Sequence, residues 1–247
     1  MGLLDATAFQ RFRDGFAGTL LEPGEAAYDD ARALFNAMID RRPALIAQCA
    51  SPADVVAAVR FGREAGLEIA VRGGGHGVGG RALCDDGLVI DLRRINAVSV
   101  DPGARVAVVG AGATMSNLDR ATEPFGLATT GGRVSTTGVG VFGLGGAVAR
   151  ETADWPVPWR SAPWCVHPFG LWSDRADDAR GRQWAHDVRA AVAPWATGAV
   201  YLNFIGEEGE ERVVAGFGAD AYRRLGRVKR DYDPDNVFHL NHNIRPA

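Results

Sequence analysis

Polar and apolar positions alternate along this chain in a way that predicts a compact α/β unit in its first half. Residues 6–17 and 25–39 carry apolar positions at helical spacing, and Pro23-Gly24 breaks them apart. Residues 44–49 form a short apolar run expected to be a strand. Ser51-Pro52 then supplies an N-cap and a first-turn proline for a helix over 53–65, which Gly66 ends. Strands are expected at 67–71, 88–92, 98–100 and 105–109, the last two joined as a hairpin by Asp101-Pro102-Gly103. Thr114 can cap a helix over 115–123, stopped by Pro124 and Gly126. The second half reads less regularly. A cluster of Trp and Pro at 150–165 precedes an expected strand at 165–172 and an exposed, striped helix at 177–193. A short apolar stretch at 201–204, one or two helices within 207–230 and a polar, proline-bearing tail complete the chain.

Two glycine-rich segments interrupt this pattern. The first, Arg72-Gly73-Gly74-Gly75-His76-Gly77, closes the strand at 67–71. Consecutive glycines let a backbone turn tightly, and successive N–H groups in such a turn make a concavity suited to a diphosphate. His76 stands where it could reach whatever those phosphates position. The second runs from Thr129 to Gly146 and includes Gly131, Gly132, Ser135, Thr136, Gly138, Val139, Gly140, Gly143, Gly145 and Gly146. Both segments satisfy G-x-G-x-x-G, at Gly75/Gly77/Gly80 and Gly138/Gly140/Gly143. A nicotinamide-dinucleotide site needs a strand before the loop and a helix after it. The first loop is followed by a short polar segment, 81–87, where no helix can start, and the second follows a Ser/Thr run rather than a strand. An NAD(P)-dependent dehydrogenase is therefore the weaker reading, and plain glycine-rich surface turns are a third.

Composition narrows the classes further. A net charge of −3, with 27 basic and 30 acidic residues, gives no electrostatic case for nucleic acid or an anionic membrane. Cys49, Cys84 and Cys165 are too few and too scattered for a disulfide framework or a zinc site, and no metal site is expected. No apolar run approaches membrane-spanning length and the N-terminus lacks signal-peptide character, so a cytoplasmic protein is expected. His167, His186, His239 and His242 show no metal spacing and read as surface or turn residues.

Arg72-Gly73-Gly74-Gly75-His76 resembles the flavin-attachment loop of the FAD-linked oxidases. These are the vanillyl-alcohol oxidase superfamily with its PCMH-type FAD-binding domain, and the likeness is closest to the berberine bridge enzyme-like branch. Arg41–Ile46, Ser51–Val55, Gly87–Leu92 and the segment Gly131–Gly146 are similar to successive parts of that domain, almost without a gap over 28–147. Val166–Gly170, Tyr201-Leu202-Asn203-Phe204 and Tyr232–Ile244 resemble the family's C-terminal region. The resemblance implies FAD, bonded through His76 to the flavin 8α carbon and cradled by both glycine loops. It places Tyr201 and Asn203 on a Tyr-x-Asn motif whose tyrosine acts in substrate deprotonation in some members, beside the alternative of a half-buried strand aromatic. It puts Asn241 and Asn243 near the flavin, beside the alternative of an Asn-rich turn. Val134 stands where some relatives carry a second attachment cysteine.

The chain departs from the family in one large respect. Relatives place a long segment between the two blocks, whereas here Gly145–Arg150 leads almost directly into Trp155–Trp159. An internal deletion joining head to tail accounts for this. The fold expected is α+β, with residues 1–150 as the N-terminal part of a PCMH-type FAD-binding domain. Residues 151–247 are a C-terminal remnant of the substrate domain plus an FAD-contacting tail. The function implied is an FAD-dependent oxidase acting on a small molecule such as a sugar, a phenol or another alcohol. It would be impaired by the deletion unless a partner chain or an oligomer completes the pocket, and a non-catalytic remnant or binding protein of the same family is the alternative.

Overall fold

The computed structural model describes residues 6–129, 131–132, 134–139, 166, 168, 170, 172, 174–206, 208–240 and 242–247. Its centre is a four-stranded sheet in the order β1-β2-β4-β3. β1 (Thr19–Leu21) runs antiparallel to β2 (Leu45–Gln48), and β2, β4 (Leu88–Asp91) and β3 (Ile69–Arg72) run parallel. The period-two alternation of β2 and β4 divides two cores between the faces of the sheet. Leu45, Ala47, Leu88 and Ile90 point to one face, with Phe9 and Phe12 of α1 (Ala6–Asp14) and Ala58 and Phe61 of α3 (Pro52–Glu64). Ile46 and Val89 point to the other, under Tyr28 and Ala31 of α2 (Tyr28–Arg32) and the segment bearing Leu83 and Cys84. A strand buried on both faces reads as a continuous apolar run, which is why 44–49 and 88–92 are legible in the sequence.

The start of α3 shows how local chemistry sets an element. The Ser51 side chain accepts from the Asp54 N–H at 3.2 Å while an Asp54 carboxylate oxygen accepts from the Ser51 N–H at 3.2 Å. Such a capping box is typically worth about 1 kcal/mol. Asp54 also accepts from the Ala17 and Ala50 N–H groups, each at 2.9 Å, so the cap ties the α1–β1 link to the sheet edge.

The helix expected over 25–39 is shorter in the structure: α2 spans Tyr28–Arg32, and Ala33 is extended (φ −65°, ψ 129°). The reason is competition for carbonyls. Arg72 Nη1 donates to Ala31 O, and Arg72 Nη2 donates to Ala33 O at 2.6 Å, so the sheet takes acceptors that a continued helix would use. The strand expected at 165–172 is not found either: Val166, Pro168, Gly170 and Trp172 are outside any strand, and the intervening positions lie outside the described residues. So does the Trp/Pro cluster of 150–165.

β5 (Val98–Asp101) and β6 (Val106–Val109) form the expected hairpin, and α4 (Met115–Thr122) follows, ended by a 3-10 turn at Glu123–Phe125. In the second half α5 (Asp178–Val192) buries none of its residues, whereas α6 (Glu210–Phe217) and α7 (Ala219–Tyr232) pack together. The tail after α7 returns to the first half. Val237 and Phe238 join the core beneath α3, Leu240 joins the core beneath α2, and Arg63 pairs with Asp235 at 2.5 Å. Among the described residues no helix is long and apolar enough to cross a membrane, and no His/Cys/Asp/Glu group has the geometry of a metal site.

Candidate flavin site

Parallel neighbours are usually joined through a helix. Here β3 passes to β4 through residues 73–87 without one, and that crossover is the first glycine loop. It leaves the sheet at its carboxyl end, the side on which open α/β sheets bind ligands. Arg72 and Asp91 are register partners at this end, 4% and 1% exposed. Arg93 reaches back to Asp91, its Nη2 2.6 Å and its Nε 3.0 Å from the carboxylate. Burial, and after it the Arg93 charge, pull the Arg72 guanidinium down to about 10, while Asp91 acts in the opposite sense. Arg72 ties the loop's root to the end of α2, and its buried Nε has no hydrogen-bond partner.

Beyond Arg72 the two glycine loops meet. A Cβ placed on Gly74 would lie 2.3 Å from Gly138 N, and one placed on Gly138 would lie 2.6 Å from Gly74 N. Backbone touches backbone, and only glycine allows it at either position. Gly75 has φ +71°, and Gly73 lies against Ala111 O. A Cβ on Gly77 would meet nothing within 4 Å, so that part of the loop opens to free space. Among the described residues, the N–H groups of Gly74, Gly75, His76 and Gly77 find no hydrogen-bond acceptor. A run of unpaired donors beside the buried Nε of Arg72 fits a diphosphate, which supplies the acceptors that the protein withholds.

The second loop is held by α4. Met115 N donates to Thr137 O at 2.8 Å, Ser116 N to Ser135 O at 2.9 Å, and Val139 N to Ala113 O at 2.9 Å. The first turn of α4 is thereby satisfied by protein carbonyls, so its N-terminus is not the phosphate seat. Gly131 packs against the Met115 side chain, and Gly132 and Val139 are half-buried. Gly140, Gly143, Gly145, Gly146 and Asn241 lie outside the described residues, as does the side chain of Asn203.

His76 stands at the seam of the two loops. Its Nε2 is 2.9 Å from Thr136 Oγ1, and its ring stacks on Phe35 at 4.5 Å between centroids, 19° from parallel. Burial pushes the imidazole below its ordinary pKa, so the ring is neutral at pH 7 and keeps a lone pair on one nitrogen.

The C-terminal residues assemble at the far end of the same loop. Tyr201 packs edge-on against Phe204, at 4.7 Å and 85°, at the start of the 3-10 turn Leu202–Phe204 rather than in a strand. His242 Nε2 donates to Leu202 O at 2.7 Å, and Arg81 Nη1 donates to Leu240 O at 3.1 Å. The tail thus bridges the histidine loop and the Tyr201 turn across a cleft of about 250 Å³, lined by Arg81, Gly206, His239, His242, Asn243 and Arg245. Of the two places expected for His242, surface or turn, the structure has it in a bend of the tail rather than on the open surface. It is half-buried, its Nδ1 and Asn243 Oδ1 are buried without partners, and burial followed by the Arg81 charge lowers its pKa. Nothing in the spacing of His242 announces this; its position between Asn241 and Asn243 is the one available signal. Phe35 and Asp91, which support the site, carry no sequence signal beyond apolar and strand-end positions.

Comparison with known proteins agrees with this geometry. The family model described as FAD binding domain matches residues 43–154, and the model described as berberine and berberine like matches residues 200–245. The chain is 35% identical over 135 residues to (R)-6-hydroxynicotine oxidase of Paenarthrobacter nicotinovorans, covering 55% of this chain and 30% of that protein. It is 34% identical to an FAD-linked oxidoreductase of Dictyostelium discoideum, covering 56% and 30%. The match therefore spans less than a third of these relatives' length. Among solved structures, glucooligosaccharide oxidase of Acremonium strictum, which carries a 6-S-cysteinyl, 8α-N1-histidyl FAD, superposes with a TM-score of 0.52 at 30% identity. That superposition covers 56% of this chain and 29% of the oxidase. The 6-hydroxy-D-nicotine oxidase of Arthrobacter nicotinovorans superposes over 94% of this chain and 99% of its own, with a TM-score of 0.76 at 17% identity, a likeness of fold. With two family models matched in this order and the PCMH-type fold present in part, the chain is similar to the FAD-linked oxidases of the berberine bridge enzyme-like type, and the FAD binding domain it matches supports FAD as its cofactor.

Proposed function

We propose that this chain is an FAD-dependent oxidoreductase of oxidase type that holds its flavin between the two glycine loops and bonds it through His76. The single observation that carries the reading is the Gly74–Gly138 contact, which sets N–H groups that have no acceptor among the described residues and a neutral, stacked His76 on one seam. Gly73, Gly74, Gly75, Gly77 and the loop from Gly131 to Gly146 enclose the diphosphate. Arg72 fixes the root of the first loop, and Asn241 and Asn243 approach the flavin from the tail. FAD when bound accepts hydride from the substrate carbon and is reoxidised by dioxygen. Tyr201 removes the proton from a substrate C–OH or C–H, and Asn203 stands beside it on the same turn. The substrate class is a sugar, a phenol or another alcohol, in keeping with the oligosaccharide and hydroxynicotine named for relatives.

Residues 1–150 form the flavin-binding part and 151–247 the C-terminal part, in a cytoplasmic protein with buried free thiols at Cys49 and Cys84. An internal deletion between them is supported by the interval of 155–199 between the two family matches, and by the small share of each relative that is covered. A second reading, a family member that keeps its motifs without a competent pocket, is supported by the small share of each relative that this chain covers. Purified protein that stays yellow after acid precipitation supports the covalent site, and colourless protein that takes up no FAD overturns it. Peroxide release with a panel of sugars, phenols and benzylic alcohols separates the two readings. We expect turnover near background from the chain alone, because small misplacements of the reacting carbon can cost on the order of a hundredfold.

A further inference from the structure

Resting on the Tyr201 reading above, we infer that His242 is a positioning residue for Tyr201, tying the turn that bears it to the histidine loop through the Leu202 carbonyl. The contacts converge on Leu202, the residue between Tyr201 and Asn203. The 3-10 turn Leu202–Phe204 is bonded from Phe204 N to Tyr201 O at 2.9 Å and from Ile205 N to Leu202 O at 3.4 Å. The second bond is long, and so short a 3-10 element has little stability of its own. Two outside contacts clamp it. The Leu202 side chain seats over Gly216 of α6, where a Cβ would lie 2.5 Å from its Cδ2. The Leu202 carbonyl takes the His242 Nε2–H at 2.7 Å. A carbonyl oxygen only accepts, so this contact places the proton of the neutral ring on Nε2. The other ring nitrogen, Nδ1, is buried with no partner. An unsatisfied buried nitrogen costs stability, so packing alone would favour an apolar side chain at this position. The bond to Leu202 is what a histidine supplies here and an apolar residue cannot. Two residues before His242, the Leu240 carbonyl accepts from Arg81 Nη1 at 3.1 Å, and Arg81 belongs to the crossover that carries His76. The tail thus joins the loop of His76 to the residue next to Tyr201 through two hydrogen bonds. The Tyr201 ring, edge-on to Phe204 at 4.7 Å, takes its orientation from the turn so held.

The experiment follows the tyrosine rings of the full chain by NMR after 13C-tyrosine labelling, with no flavin or substrate added. The chain has four tyrosines, and Tyr201→Phe assigns the Tyr201 signals. Tyr28, buried with its hydroxyl on Pro43 O at 2.7 Å, reports the core beside the sheet. His242→Leu is expected to shift and broaden the Tyr201 signals and leave those of Tyr28 in place. Amide hydrogen exchange at Phe204 should rise about two- to tenfold, the range for losing one neutral hydrogen bond. His242→Gln, whose amide nitrogen falls where Nε2 lies, should restore both readouts. Tyr201 signals unchanged in His242→Leu, or shifted as far in His242→Gln, overturn the inference. Should His242→Leu move Tyr28 as well, His242→Asn decides in its place, because its amide is too short to reach Leu202 O. Tyr201 signals in His242→Asn like those of the unsubstituted chain then overturn the inference, and displaced ones support it. Equal anaerobic flavin reduction by an alcohol substrate in Tyr201→Phe and the unsubstituted chain counts against the Tyr201 reading, while the ring signals still decide the role of His242.

Discussion

A Cβ on Gly74 would sit 2.3 Å from the backbone nitrogen of Gly138, so the two glycine loops are locked together by the absence of two side chains. Neither backbone can yield easily. Gly138 is bridged to Thr114, and its neighbours Thr137 and Val139 are bonded to Met115 and Ala113. Gly74→Ala is expected to cost about 1–3 kcal/mol, the usual range for overpacking. Gly77→Ala, with nothing within 4 Å of the new methyl, should stay within about 0.5 kcal/mol. Urea unfolding of both variants measures the contrast. FAD titration adds a second: loss of flavin uptake in a fully stable Gly77→Ala would mark the space over Gly77 as ligand space, and unchanged uptake would remove it from the site.

The buried charges beneath the loop make a separate prediction. Asp91 is 1% exposed and carries the bidentate contact of Arg93, with Arg72 as its register partner. Asp91→Asn leaves two cations facing a neutral amide. Removing one member of a buried pair typically costs about 3–5 kcal/mol. Because Arg93 can turn toward solvent, the lower end of that range is expected. A urea midpoint equal to that of the unsubstituted chain would show that the carboxylate is dispensable.

Acid should loosen the tail. Burial lowers the pKa of His76 and His242 from 6.5, so the unfolded chain binds more protons than the folded one in the window below 6.5. By linkage, stability then rises with pH through that window and falls as the solution is acidified. His242→Gln keeps a donor for Leu202 O and removes the titration. Its stability should therefore depend less steeply on pH between about 5 and 6.5. Thermal unfolding over this range tests the point, and parallel profiles for the two proteins would refute it.

Flavin attachment is expected to end at one residue. His76→Ala should bind at most dissociable flavin, giving a colourless pellet after acid precipitation. Peptide mass spectrometry should find the flavin mass on the peptide bearing His76 in the unsubstituted chain. Flavin on Cys84 would contradict the assignment, and burial argues against it: that thiol is pushed up to about 12 and is inert at neutral pH.

Much of the first half was legible because its signals are local. The apolar runs of β2 and β4, the Ser51-Pro52-Ala53-Asp54 start of α3 and the turn between β5 and β6 each act within a few residues, and the structure has all of them. The helix expected over 25–39 fell short because its opponent, Arg72, lies far along the chain and claims the Ala31 and Ala33 carbonyls. The burial of His242 is invisible in the sequence for the same reason: its partner Leu202 is supplied by a turn that no local pattern joins to the tail.

By itself the sequence determined the central strands, the capped start of α3, the glycine-rich character of two loops and the presence of a histidine after one of them, because backbone freedom, capping and alternation depend on neighbours in the chain. Only the tertiary structure decided that the loops touch at Gly74 and Gly138, that His76 is neutral between Phe35 and Thr136, and that the tail closes over Arg81. Those facts depend on which carbonyls remain unclaimed and which surfaces are removed from water once β3 and β4 pair, and neither quantity exists before the chain has folded.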